Sequence, residues 1–289
     1  MELTNYTEIR ALLDRHGFRF SKSLGQNFLT AAWVPERIAE AAGLDEQTGV
    51  LEVGPGIGCL TEQLSRRAGK VLAVELDKAL KPVLAETLAG RENVELLFGD
   101  VLKQDLPRLV EERLPGLRHV LCANLPYNVT TPLLTAFLEA GCFETITVMI
   151  QREVARRICA GPGTADYGAF GLFVQWHCET ELLFDVPPSC FVPQPKVTSS
   201  VIRLTRRAAP PVQVKDEKLL FRVIRAAFDQ RRKTLPNALS AGIEGLDKEQ
   251  AARAVEEAGF DVRIRGEAVD LGGLATISDK IYEKLFSDL

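Results

Sequence analysis

Between Thr48 and Thr205, short apolar or β-branched runs alternate with longer segments of helical periodicity. This alternation restricts the chain to an α/β fold with a mainly parallel sheet. Seven strands are predicted, near Gly49–Gly54, Lys70–Asp77, Asn93–Asp100, His119–Leu125, Glu144–Gln151, Glu179–Val186 and Val197–Thr205. A proline-rich loop, Val186 to Pro195, joins the last two. It is too short for a crossover helix, so those strands are expected to run antiparallel to each other.

Arg206 to Val212 reads Arg-Arg-Ala-Ala-Pro-Pro-Val, and its consecutive prolines favour an extended linker. The expected organisation is therefore a large domain, residues 1–208, and a small helical one, residues 209–289. Helical periodicity in the latter predicts helices over Asp216 to Ala241, Asp247 to Ala258 and Ile277 to Phe286.

A chain of 289 residues can bury a substantial core, and its 46% hydrophobic and 26% charged content is that of an ordinary globular protein. The N-terminus lacks the basic start and apolar core of a signal peptide, and no apolar run reaches membrane-spanning length. A cytoplasmic protein without a membrane partner is expected. Six scattered cysteines form no Cys-x-x-Cys pair, which argues for reduced thiols and against metal binding. A net charge of −4 does not advertise a nucleic-acid binder, but total charge hides distribution.

The first strand runs into Glu52-Val53-Gly54-Pro55-Gly56-Ile57-Gly58, a turn whose glycines let the backbone approach a ligand. The dinucleotide fingerprint is not met, because Cys59 stands where it needs a small closing residue. Glu75 ends the next strand, 21 residues after Gly54, where a carboxylate can accept from both ribose hydroxyls; a surface strand end is the alternative. Asp100 ends the third, where it can accept from an exocyclic amine or cap the following segment. Gly54, Glu75, Asp100 and Asn124 thus fall at the carboxyl ends of successive strands, the edge where open α/β sheets bind ligands. This arrangement resembles the class I S-adenosylmethionine-dependent methyltransferases, with a Rossmann-like sheet of seven strands. The resemblance implies that Gly54 and Gly56 lie against the methionine part, Glu75 holds the ribose and Asp100 reaches the adenine.

The fourth strand closes on Asn124-Leu125-Pro126-Tyr127. An exocyclic amine on a base is a poor nucleophile because its lone pair is delocalised into the ring. Two acceptors for its N–H groups would make the nitrogen more tetrahedral. The Asn124 amide oxygen and a backbone carbonyl beside Pro126 can serve, while Tyr127 stacks on the ring. No general base, metal or covalent nucleophile is required.

Together with Ser23-Leu24-Gly25-Gln26-Asn27-Phe28-Leu29, Asn124 to Asn128, Phe191 to Val197 and Ala227-Phe228-Asp229-Gln230-Arg231-Arg232-Lys233-Thr234, the chain is similar to the ribosomal RNA adenine N6,N6-dimethyltransferases. The resemblance implies that Asn27 and Leu29 close over the cofactor and that Phe191 forms a base sandwich with Tyr127. It also implies a substrate of two adjacent adenosines in a loop near the 3′ end of 16S rRNA, in the small ribosomal subunit. Without that resemblance, an ordinary turn is the alternative for Gln26-Asn27, and Phe191 reads equally as core.

Basic residues cluster at Arg152, Arg156 and Arg157, at Arg203, Arg206 and Arg207, and at Arg222, Arg225, Arg231, Arg232 and Lys233. The second and third clusters are expected to grip RNA phosphates. The protein is expected to work as a monomer. An NAD-dependent oxidoreductase would leave Asp100 and Asn124 to Tyr127 without a task. The remaining alternatives are a large-subunit rRNA adenine methyltransferase of the antibiotic-resistance kind, which would be expected to be more basic, and an RNA-binding ribosome assembly factor with lost or secondary catalysis.

Overall fold

The structure, a computed structural model, describes residues 1–21 and 25–286. Ser23 and Leu24 of the N-terminal motif lie outside the described residues.

Seven strands form one sheet: β1 (Thr48–Val53), β2 (Lys70–Glu75), β3 (Val94–Phe98), β4 (Arg118–Asn124), β5 (Thr145–Gln151), β6 (Cys178–Val186) and β7 (Ser199–Arg206). Their order across the sheet is β3-β2-β1-β4-β5-β7-β6. The first five pair in parallel, and β7 runs antiparallel to β5, with Ile146 opposite Leu204 and Gln151 opposite Ser199. β1 is buried along its whole length, as a central parallel strand covered on both faces must be. The reversal of direction in strand order lies between β1 and β4, so their carboxyl ends open onto a crevice.

Before the sheet, helix Tyr6–Arg15 starts at Asn5, whose side chain accepts from the backbone N–H groups of Thr7 and Glu8. Ile9, Leu12 and Leu13 face inward and pack with Phe28, Ile57 and Leu84. The chain then pairs Phe28–Leu29 antiparallel with Phe191–Val192, Leu29 opposite Phe191.

The chain divides into two compact units, one holding residues 1–155 and 179–206, the other residues 156–178 and 207–289. The second is larger than residues 209–289, the expected small domain, because it also takes helix Ala169–His177. That helix is apolar almost all round, so one covered face does not suffice. Tyr167, Leu172 and Trp176 share a core with Leu220, Leu239 and Ile277, and the Tyr167 hydroxyl donates to the Val269 carbonyl at 3.1 Å.

The helix expected over Asp216 to Ala241 is two helices, Glu217–Asp229 and Leu235–Gly242. Pro236 cannot donate to the carbonyl a continuous helix would present, but it is tolerated in the first turn of a new one. The first of the pair buries Leu219, Leu220, Val223, Ile224 and Ala227 as one stripe, and truncating Leu220 to Ala costs about 2 to 5 kcal/mol. The last helix, Leu271–Phe286, begins earlier than Ile277. Gly272-Gly273 does not break it. A Cβ at Gly273 would meet the Phe260 ring at 2.6 Å, so glycine there serves a close packing contact.

Candidate active site

The carboxyl ends of β1 to β4 and the segment Gly25–Leu29 enclose a cavity of about 290 Å³. Its lining includes Asn27, Leu29, Gly54, Gly56, Glu75, Asp100 and Asn124 to Tyr127. These residues are distant in sequence and meet because parallel strands deliver their ends to one edge.

The turn after β1 is set by three left-handed glycines, Gly54 (φ +71°), Gly56 (φ +59°) and Gly58 (φ +94°). Gly56 is doubly constrained, since a Cβ there would sit 3.2 Å from the Phe28 ring. Glu75 is buried and receives two backbone N–H groups, Gly56 on Oε2 at 3.1 Å and Asp77 on Oε1 at 2.8 Å. Burial raises its pKa, and those two donors oppose the rise. Asp77 in turn accepts from the Gln26 side chain at 2.7 Å, which ties the N-terminal segment to this side of the cavity. Asp100 caps the short helix Val101–Lys103 through Oδ1, 3.0 Å from the Leu102 N–H. Capping and cavity lining are thus both realised at that carboxylate.

At the end of β4 the Asn124 Nδ2 donates to the Asn27 carbonyl in a long hydrogen bond of 3.4 Å, an orientation that leaves Oδ1 as the acceptor. The Pro126 carbonyl already accepts from the Val129 N–H at 3.2 Å and the Thr130 hydroxyl at 3.1 Å. Of the carbonyls beside the proline ring, that of Leu125 is therefore the one suited to a second acceptor. Tyr127 is partly buried, its hydroxyl shares a hydrogen bond with Ser199, and burial raises its pKa.

Two residues expected at the site have partners away from the cavity. Phe191 does not line the cavity; it is 2% exposed and packs in a core with Leu29 and Val186. Its backbone pairs with Leu29, so the proline-rich loop is joined to the N-terminal segment. Arg231, though exposed, donates to the Ala165 and Tyr167 carbonyls at 3.1 and 3.0 Å and lies 3.4 Å from Glu267, contacts within the helical unit. In the second basic cluster, Arg203 bonds Glu181 and the Ala41 carbonyl, and Arg207 donates to the Gln175 carbonyl. Arg222, Arg225, Arg232 and Lys233 are exposed.

Sequence reasoning assigned Glu52 no role, although a carboxylate inside the run Val50-Leu51-Glu52-Val53 is a visible signal. It is 1% exposed, lines the cavity, and its Oε2 has no hydrogen-bond partner among the described residues. Burial pushes its pKa up to about 8; the nearby Thr61 hydroxyl opposes this without good hydrogen-bond geometry, and Glu75 adds repulsion. Among the described residues no group of His, Cys, Asp and Glu has a metal-binding arrangement.

This sheet order, with a glycine turn and acidic strand ends around one cavity, defines a Rossmann-like methyltransferase. The model of ribosomal RNA adenine dimethylases matches residues 17–258. The chain is 47% identical over 276 residues to the ribosomal RNA small subunit methyltransferase A of Geobacillus thermodenitrificans, covering 94% of both chains. It is 48% identical over 278 residues to that of Shouchella clausii, covering 95% of this chain and 94% of the relative. Among solved structures, the 23S rRNA methyltransferase ErmE superposes with a TM-score of 0.69 at 28% identity, over 88% of this chain and 99% of ErmE. A dimethyladenosine transferase from Plasmodium falciparum shares the fold, with a TM-score of 0.73 at 23% identity over 86% of this chain and 95% of that one. The chain belongs to the ribosomal RNA adenine dimethylase family, which is S-adenosylmethionine-dependent, and it is an rRNA adenine dimethyltransferase. The cavity fits that cofactor: a buried carboxylate with an unpartnered oxygen, Glu52, suits a ligand that carries positive charge, and at Gly54, where a Cβ would meet nothing within 4 Å, the turn leaves backbone open to close approach.

Proposed function

We propose that this protein dimethylates N6 of two adjacent adenosines in a loop near the 3′ end of 16S rRNA, within the small ribosomal subunit, as a step in ribosome biogenesis. The observation that carries this reading is the amide of Asn124, whose Nδ2 is held by the Asn27 carbonyl beside the Leu125 carbonyl and the Tyr127 ring.

S-adenosylmethionine, when bound, supplies an electrophilic methyl group on its sulfonium. The glycine turn and Glu52 would hold its amino-acid end, Glu75 its ribose and Asp100 its adenine amine, with Asn27 and Leu29 closing over it. The target adenine stacks on Tyr127, and its two N6–H groups point at Asn124 Oδ1 and the Leu125 carbonyl. Accepting those hydrogen bonds draws the nitrogen lone pair out of ring conjugation. An amide suits this role because it stays neutral at every pH where the enzyme works, while positive charge builds on nitrogen only briefly. After the first transfer the cationic nitrogen releases a proton to solvent and one N–H remains, so one acceptor suffices to orient the second.

Target bases in a loop can be splayed out at lower energetic cost than in a duplex. Arg222, Arg225, Arg232 and Lys233 would track the phosphates, leaving base choice to the cavity. The test is transfer of labelled methyl from S-adenosylmethionine to undermethylated small subunits, with large subunits and NAD binding as controls. Transfer to large subunits instead, or binding of NAD in place of S-adenosylmethionine, would refute the reading.

A further inference from the structure

We propose that Ser199 is a positioning residue for this reaction: its hydroxyl anchors the hydroxyl of Tyr127 and fixes the plane of the ring on which the target base stacks. The inference rests on the base-stacking role proposed for Tyr127 above.

Direction of the strands puts Ser199 where it can act. Parallel strands bring their last residues to the cavity edge, whereas the antiparallel β7 brings its first. Met149 lies opposite Asn124 on β4, and Gln151, two residues further along β5, lies opposite Ser199. Ser199 is therefore level with the residues just past the end of β4, among them Tyr127. Side chains alternate along a strand, so Ser200 points the other way, its hydroxyl donating to Asp185 at 2.6 Å. The two adjacent serines thus face different elements.

Ser199 is fully buried, and a buried hydroxyl needs a partner; among the described residues the Tyr127 hydroxyl supplies one. The aromatic side chain is then held at both ends. Its backbone enters a short helical turn, Tyr127–Val129, directly after Pro126 at φ −60°, and its hydroxyl is tied to a strand of the sheet. A ring fixed at both ends loses little further freedom when a base stacks on it, which favours the reactive pose over other bound poses.

The test compares Ser199→Ala, Tyr127→Phe and the double variant on undermethylated small subunits. Each single change is expected to lower kcat about three- to tenfold, the size of one neutral hydrogen bond, with KM for the subunit unchanged. The double variant is expected to lose no more than either single, because both remove the same bond. Affinity for S-adenosylhomocysteine, measured by calorimetry, should stay at the wild-type value. Wild-type kcat in Tyr127→Phe, which breaks the bond and leaves β7 intact, overturns the proposal even if Ser199→Ala folds poorly. Losses that multiply in the double variant also overturn it. The anchor can be read without turnover: the Tyr127 ¹³Cζ resonance should move in Ser199→Ala. A resonance that moves in Ser199→Ala while the wild-type enzyme methylates no adenine N6 would refute the proposed function and leave the anchor standing, and a resonance that does not move would overturn the anchor.

Discussion

Replacing Glu52 by Gln should remove a pH dependence of stability that the buried carboxyl imposes on the sheet unit. The carboxyl is pushed from an ordinary value of 4.5 to about 8 in the folded protein, chiefly by burial. Between those values the folded state binds more protons than the unfolded one, so stability is fully present below pH 4.5 and is lost as pH rises towards 8. The whole window corresponds to about 5 kcal/mol, and the part from pH 5.5 to 8 to about 3 kcal/mol. The assay is urea unfolding of ligand-free protein, followed at Trp33 in a Trp176→Phe background so that the sheet unit alone reports. Glu52→Gln should gain on its parent by about 3 kcal/mol between pH 5.5 and pH 8. Parallel pH profiles for the two chains would refute the argument.

Other perturbations follow from the same geometry. Asn124→Ala should keep S-adenosylhomocysteine affinity within a few-fold by calorimetry while methyl transfer falls at least about a hundredfold, as expected for losing an oriented polar group at the reacting atom. Near-normal turnover would remove the assigned role. Gly54→Ala and Gly56→Ala each cost about 1 to 2 kcal/mol for a left-handed backbone. Gly56→Ala should weaken cofactor binding further, because its Cβ displaces Phe28. Arg222→Glu with Arg225→Glu should flatten the salt dependence of small-subunit binding by about 0.7 to 0.9 log for each phosphate no longer gripped. An unchanged slope would take those residues off the RNA. Arg231→Ala, by contrast, should lower the melting temperature of the helical unit, since it leaves the Ala165 and Tyr167 carbonyls without that donor.

Strand positions were legible because parallel strands read as apolar runs ending in polar residues; the observed β1, β2, β4 and β5 lie within a residue or two of their predicted bounds. For the same reason Gly54, Glu75, Asp100 and Asn124 could be grouped at one edge from spacing alone. What escaped was tertiary. Phe191 follows a strand and precedes prolines, a pattern that does not reveal its pairing with Leu29. Arg231 belongs to a basic run, and nothing local tells a phosphate ligand from a guanidinium that binds carbonyls of a segment more than sixty residues away. Helix Ala169–His177 sits between two strands of the sheet in sequence, yet its nearly continuous apolar surface commits it to the helical unit. Ser199 and the orienting carbonyl of Asn27 depend on distances between distant segments, which no spacing rule contains.

Mass spectrometric mapping of rRNA fragments tests the central claim most directly, using undermethylated small subunits incubated with the protein and S-adenosylmethionine. The account predicts two neighbouring adenosines near the 3′ end of 16S rRNA, each gaining two methyl groups at N6. Methylation at another atom, at another base, or at an isolated adenosine would contradict it.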